Sequence, residues 1–443
     1  MEKSDTIFIA IAAGLTILGI ALRIAWILLV PNTPVLDFAT FLEMASNIYH
    51  GRGHSLGGVP IAWVGPGYAY TLAIFHWIMG SDNPFNAMIL NVILSSATLV
   101  MSFFVYRRWF EDDPVKTLVA YGITAVMPNF IAYNNVAGTE TLFLFMLVGM
   151  VLVQLYVPGR MLIKAPALGV ICGLAALTKP FMLAYPAVML AIWWMQTKNP
   201  RRTLISTALM TAAMLVVIAP WTIRNFQAFD RFILISHNAG AVLMQNNNYG
   251  NMTGTFMPLE QVPMPEELRT QVEYSLRDGR SIKEAYELDP LFRAQGMHWI
   301  VRNPLAYMQL GFLRVQNTFF GGAWDITSWA MNDWDMHGGR TGSPFVNERH
   351  LNFAVGLFSV IVTVLSVSGL LFGLLVVWPY IGAFFCTSHR RSLPTHMHMV
   401  FINIAFFVVI AAAFEGQARY NHPVMFFFIY TLIWLCGRNR ASQ

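Results

Sequence analysis

Ten apolar runs leave this chain little choice of solvent. They lie at about 7–30, 86–106, 115–132, 140–157, 166–180, 181–196, 203–220, 353–380, 399–414 and 421–437. Each is close to the ~17–25 residues a helix needs to cross a bilayer. Of the 443 residues, 56% are hydrophobic and 12% charged, about half the charge of an ordinary soluble domain. No single soluble core needs that much apolar surface, so the expected class is an all-α polytopic membrane protein of about ten spans. The first run follows Met1-Glu-Lys-Ser-Asp-Thr6 without a small-residue cleavage pattern and reads as an uncleaved helix. Cys172, Cys386 and Cys436 have no metal or disulfide spacing.

An eleventh run, about 66–80, is short, opens with Pro66 and Gly67, and carries His76 and Trp77. Charge sidedness decides its place. If it lies in the interface without spanning, Lys3, Arg107, Arg108, Lys116, Arg160, Lys164, Lys198, Arg201, Arg202, Arg390, Arg391, Arg438 and Arg440 all fall on one side. The short loops of the other side keep only Arg52, Lys179 and Arg419. The positive-inside rule then puts both termini in the cytoplasm. The +5 net charge thus sets orientation and does not signal nucleic acid. The expected location is the cytoplasmic (inner) membrane, with the polar site extracytoplasmic.

Three divisions follow: an N-terminal transmembrane module over 1–220 with a first outer loop at 31–65, an extracytoplasmic helical loop region over 221–352, and C-terminal transmembrane helices over 353–443. The first loop contains an amphipathic stretch from Asp37 to Gly51. The second predicts helices over Pro265–Arg280 and Ser281–Arg302, then an aromatic-rich interfacial helix over Leu305–Phe320.

Nearly every unusual polar residue falls on the outer side. Asp37 follows the first span almost immediately; a carboxylate beside hydrocarbon is costly to ionise unless paired. It suits a general base for an attacking alcohol, or an N-cap. Glu140 opens a span after Thr139, where it is a candidate catalytic acid or a partner of the helix dipole. Lys179 and Arg224 sit at span ends, suited to a phosphate or to interface anchoring. Asn238 and the run Asn246, Asn247 and Asn248 lie among glycines, a pattern for a tight loop offering donors to sugar hydroxyls or phosphate. Glu415, Gln417, Arg419, Tyr420 and His422 crowd a short loop between two spans, where polar side chains are costly unless paired or used. Asp333-Trp-Asp335, with His337 nearby, superficially matches an Asp-x-Asp metal site, but nothing around it predicts a nucleotide-binding unit. Asn251-Met-Thr253 fits a glycosylation sequon, a short pattern that also arises by chance.

These pieces, in this order and on this side, resemble the GT-C superfamily of integral membrane glycosyltransferases. The nearest branch contains the dolichyl-phosphate-mannose protein mannosyltransferases, the lipid A aminoarabinose transferase and the rhizobial lipopolysaccharide core transferases. The resemblance rests on Asp37 after the first span, Tyr49-His-Gly51-Arg-Gly53, Gly65-Pro66-Gly67-Tyr68, Thr139-Glu140, Pro220-Trp221-x-x-Arg224-Asn225, the loop from Gly240 to Gly254, Asn303-Pro304-x-x-Tyr307 and Arg419-Tyr420-x-x-Pro423. It implies a polyprenyl-phosphate sugar donor and transfer to a glycolipid, glycan or protein hydroxyl at the outer face, with inversion. Asp37 takes the base role. Lys179, Arg224, Arg419 and Tyr420 are donor-phosphate candidates. Glu43, Tyr68, Asn238, the Asn246–Asn248 run, Glu415, Gln417 and His422 are candidates for sugar and acceptor. Two departures stand out: a single acid replaces the paired acidic motif, and Gly-Pro-Gly replaces Pro-Pro. The single acid leads to the expectation of no obligatory divalent metal. Rival readings are a ligase or polymerase with a diphosphate-linked donor, and a lipid-linked sugar transporter. Transporters place ionisable groups at midplane and show repeats, neither of which is evident.

Overall fold

The computed structural model describes residues 3–157, 161–330, 348–385 and 394–438. The Asp333-Trp-Asp335 motif, His337, Cys386, Arg160, Arg390, Arg391 and Arg440 lie outside them. The chain begins with α1 (Lys3–Leu29). The first loop holds α2 (Asp37–Tyr49), a hairpin of β1 (Ser55–Leu56) and β2 (Val59–Pro60), and α3 (Gly67–Met79). Then follow α4 (Phe85–Trp109), α5 (Pro114–Val126), α6 (Pro128–Ala132), α7 (Thr139–Tyr156), α8 (Met161–Thr178), α9 (Tyr185–Thr197) and α10 (Pro200–Phe229). The long loop region contributes α11 (Ala239–Asn246), α12 (Glu266–Ser275), α13 (Asp289–Arg302) and α14 (Pro304–Phe319), and the chain closes with α15 (Glu348–Phe385), α16 (Thr395–Ala413) and α17 (His422–Arg438).

All ten expected spans are helical. Among the described residues seven helices are long and apolar enough to cross a membrane, and eight if the pair Pro114–Val126 and Pro128–Asn135, bent by 46°, is one span. The bend comes at Met127, held extended by the proline that follows it. The other two are shorter: α17 has 17 residues, and α9 has 13 after a 3-10 stretch, Pro180–Ala184. The protein is an integral, multi-pass membrane protein. Its apolar surface is turned outward, as on Ile17 and Leu28 of α1, Val216 of α10 and Val360 of α15. At 13 residues, or about 20 Å, α3 is too short to span and packs on α2 and α4.

Three expectations need correction. The helix ending at 220 continues to Phe229, because Pro220 costs one hydrogen bond without stopping a helix whose neighbours hold it. Arg224 therefore lies on a helix. The helix over Ser281–Arg302 starts only at Asp289, where Pro290 occupies the first turn; before it the chain turns, with Arg280 paired to Glu287. The helix over Pro265–Arg280 stops at Ser275, ahead of left-handed Asp278 and Gly279. As expected of an interfacial helix, α14 presents Leu305, Met308 and Phe312 along one exposed face.

Small residues set the closest packing. Gly169 and Gly173, one turn apart on α8, let α10 approach until a Cβ on Gly169 would lie 2.3 Å from the Met210 carbonyl oxygen. Gly65 and Gly67 seat the first loop directly on the Leu177–Thr178 backbone at the end of α8. That is the physical content of Gly-Pro-Gly here: the first loop reaches the residue next to Lys179. Gly169→Ala should force α8 and α10 apart at a cost of about 1–3 kcal/mol. A lower melting temperature in detergent checks this; an unchanged one contradicts it.

Candidate active site

Four chain segments converge at the loop ends of the spans. The first supplies Asp37. The residue before it, Leu36, has φ 51° and ψ −122°, a left-handed conformation that is strained for a side chain with a Cβ. It turns the chain sharply into α2, making Asp37 the first helical residue. Its carboxylate makes no cap hydrogen bond to the helix; the capping role is thus not realised. The Asp37 side chain is 44% exposed and lies 3.9 Å from Arg419.

The second and third segments supply Glu140 and Lys179. The cap position of α7 is Gly138 rather than Thr139, and no side chain caps that end. Glu140 is freed from the helix end and forms an ion pair, Oε1 to Lys179 Nζ at 3.0 Å, with the side chains 4% and 17% exposed. Gly138 is required here: a Cβ would lie 2.6 Å from Glu140 Oε2 and 2.9 Å from the Phe38 ring.

The fourth segment, Glu415–Tyr420, lies over this pair. The Tyr420 hydroxyl donates to Glu415 Oε2 at 3.2 Å and receives Arg419 Nη2 at 3.1 Å. Gln417 donates to the other Glu415 oxygen. Lys179 sits 5.7 Å from the Tyr420 ring centre. Burial pulls the Arg419 guanidinium down, but Tyr420, Glu140, Asp37 and Glu415 outweigh it and hold the group firmly charged. Burial raises the Glu415 carboxyl, against the opposing pull of Arg419, Tyr420 and Gln417. Three buried atoms here, Glu140 Oε2, Arg419 Nε and Gln417 Oε1, have no hydrogen-bond partner. Two cations, two carboxylates and a third acid pushed towards its neutral form thus face one another with donors and acceptors to spare.

Other candidates lie apart. Arg224 spends its donors on the carbonyls of Ile61 (3.0 Å) and His54 (2.7 Å) and on Asn225, and stacks on Trp221; it clamps the first loop to α10. Glu43 accepts from the Gly57 amide at 2.7 Å and pins the hairpin. Asn238 accepts from Ser236. Asn248 accepts from the amides of Gly250 and Asn251, and Asn247 from Arg314 at 2.9 Å. Arg314 also holds the carbonyls of Asn246, Ala412 and Ala413, and the Gly254 carbonyl receives the Gly416 amide at 3.1 Å. The Asn-rich loop is thus the scaffold that positions Glu415–Tyr420. Tyr68 is buried edge-on to Phe41, within electrostatic reach of Glu140.

Two residues were not singled out by the sequence. Arg23, the lone charge in the first apolar run, is buried and bonds Ser95, Gly19 and Ala125, tying α1, α4 and α5 together. A single charge in a span is itself a signal. Asp325 lies just before a π-helical turn, Ile326–Ala330, and no pattern marks it. Fully buried, it accepts from Tyr133 at 2.7 Å, and Tyr133 packs on His422 at 4.7 Å. Burial raises the Asp325 carboxyl to about 6, more than Tyr133 and the backbone amides lower it. A carboxyl raised on folding costs stability as pH climbs through that range and nothing below the unfolded value. Asp325→Asn should therefore raise the melting temperature at pH 8 and lose that gain at pH 4. Equal shifts at both would contradict the burial of this group.

No protein-family model matches the sequence, and no curated protein matches it. Its structure is similar to solved ones. One is the oligosaccharyltransferase AglB of Archaeoglobus fulgidus in complex with an inhibitory peptide and a dolichol-phosphate, at TM-score 0.52 and 14% identity over 100% of this chain and 52% of that one. Another is the same organism's oligosaccharyltransferase in the apo form, at 0.53 and 12%, over 98% and 51%. ArnT from Cupriavidus metallidurans bound to undecaprenyl phosphate aligns over 99% of this chain and 79% of that one, at 0.43 and 13%. The chain spans about half the length of the oligosaccharyltransferase. The likeness is one of fold: the helices are arranged as in the half of the oligosaccharyltransferase chain they align with.

Proposed function

We propose that this protein is a membrane glycosyltransferase that moves a sugar from a polyprenyl-phosphate carrier to an acceptor hydroxyl at the extracytoplasmic face. The observation that carries the reading is the Asp37–Arg419–Glu140–Lys179 arrangement at the loop ends of the spans. A lipid-linked donor keeps its tail in the bilayer and its phosphate at the interface, and the convergence of these side chains at the loop ends of the apolar helices supports such a donor. Arg419 and Lys179 supply the charge for the phosphate leaving group. Glu140 holds Lys179 in place rather than moving protons, because its carboxylate is committed to the ion pair. Asp37, half-exposed, is the base that takes the acceptor proton. Attack opposite the phosphate inverts the anomeric centre. Tyr420, bridging Arg419 and Glu415, and Gln417, bonded to Glu415, shape the cationic wall.

Purified protein supplied with labelled polyprenyl-phosphate sugars and a membrane glycolipid extract should transfer sugar, and Asp37→Asn should lower turnover by at least about 100-fold. Equal turnover in both would remove Asp37 from the base role. Product analysis separates the carriers: release of polyprenyl diphosphate instead of monophosphate would favour the ligase reading.

With both positive charges supplied by side chains, no divalent metal is needed. Turnover should survive EDTA unchanged. Loss with EDTA, restored by Mg²⁺ or Mn²⁺, would contradict this.

A further inference from the structure

Two cavities open on the loop region, apart from the cluster above. One of about 660 Å³ is bordered by the β2 hairpin strand, the end of α10 and the turns after α12; the other, of about 580 Å³, lies between the chain after α10 and the start of α13. Tyr286 lines both. The hairpin follows α2, the helix that begins at Asp37, and Glu43 of α2 fixes it by its bond to Gly57. A ligand in the first cavity therefore rests on the loop that carries Asp37, and Tyr286 joins that cavity to the second.

The wall of the second cavity contains an unsatisfied group. His237 is 4% exposed, and neither ring nitrogen has a hydrogen-bond partner. Its ring lies 5.5 Å from Trp63 and 6.3 Å from both Phe229 and Tyr286. Burial lowers His237 to about 4, so at neutral pH it is uncharged, with one N–H donor and one bare acceptor. Leaving a buried polar group with no partner is unfavourable unless something supplies the missing bonds.

Charge and shape select the chemistry. The first cavity carries Arg277 and Arg280 against Asp278, Glu284 and Glu287; the second carries Arg231 and Arg293 against Asp289. Four cations thus meet four carboxylates, which disfavours a strongly anionic ligand such as a diphosphate. Aromatic rings for the apolar faces of a ring and a paired donor and acceptor for a hydroxyl are what a sugar needs.

We propose that the cavities flanking Tyr286 form a saccharide-binding site, with His237 and Tyr286 as its recognition residues, that holds the glycan portion of the acceptor. The acceptor assignment rests on the glycosyl-transfer reading; the binding site does not.

Calorimetric titration of the full-length protein in nanodiscs with short, neutral manno-, gluco- and galacto-oligosaccharides tests it. At least one should bind saturably. His237→Ala and Tyr286→Ala should each weaken it about tenfold, and His237→Gln, which keeps a donor and an acceptor, should stay within about threefold of wild type. The proposal is overturned if no oligosaccharide binds, if binding survives both alanine substitutions, or if a short Ser/Thr-containing peptide occupies the His237-dependent site instead. Binding without any sugar transfer would leave the site standing and remove the glycosyltransferase reading. Transfer without His237-dependent binding would do the reverse.

Discussion

The buried ion pair between Glu140 and Lys179 is the constraint on which the site depends. Taking two charges out of water costs several kcal/mol each before their attraction is counted. A pair 3.0 Å apart recovers much of that, but a lone member would not. The pair therefore fixes the relative placement of the start of α7 and the end of α8. Gly138, which leaves room for the Glu140 carboxylate, and Gly65 and Gly67, which bring the first loop onto the α8 terminus, are consequences of the same arrangement. Any change that separates α7 from α8 leaves an unpaired charge at the rim of the membrane.

Around this pair the protein builds two walls by different means. The first loop presents Asp37 through a strained turn at Leu36 and is clamped from behind by Arg224. The Glu415–Tyr420 loop is held by Arg314, whose guanidinium gathers carbonyls from the Asn-rich loop and from the end of α16. Arg224 and the Asn-rich loop, which look like ligand donors in the sequence, thus serve as fasteners. The half-exposed Asp37 carboxylate and the firmly charged Arg419 guanidinium are left 3.9 Å apart. On the proposed reading, this division sets rigid support apart from one accessible base.

Much of this was legible in the sequence. Each of the ten apolar runs proved helical, and seven or eight of the helices are long and apolar enough to cross a membrane, because apolar length is read directly from composition. Asp37, Glu140, Lys179, Arg419 and Tyr420 stood out because charge at the edge of hydrocarbon is rare. What sequence could not show is where each donor is spent. Arg224 and Arg419 are alike in residue type and in position at a span end; one is consumed by backbone carbonyls of a loop about 160 positions away in the chain, a fact no local pattern encodes. The Asn run likewise turns its amides onto its own backbone, as Asn does in tight turns. The extension of α10 past Pro220 was missed for a related reason, since tertiary neighbours override a local breaker. Asp325 lacks any neighbouring signal and is recognisable only once Tyr133 is placed beside it.

On the proposed reading Lys179 and Arg419, not Arg224, form the phosphate seat. Its most direct test is the affinity of the protein in nanodiscs for a polyprenyl phosphate. Lys179→Gln and Arg419→Gln should each weaken binding by about 10–100-fold, the worth of a charge-assisted hydrogen bond, while Arg224→Lys should leave it near the wild-type value. Equal affinities across wild type and the first two variants, or a loss confined to Arg224→Lys, would contradict the account.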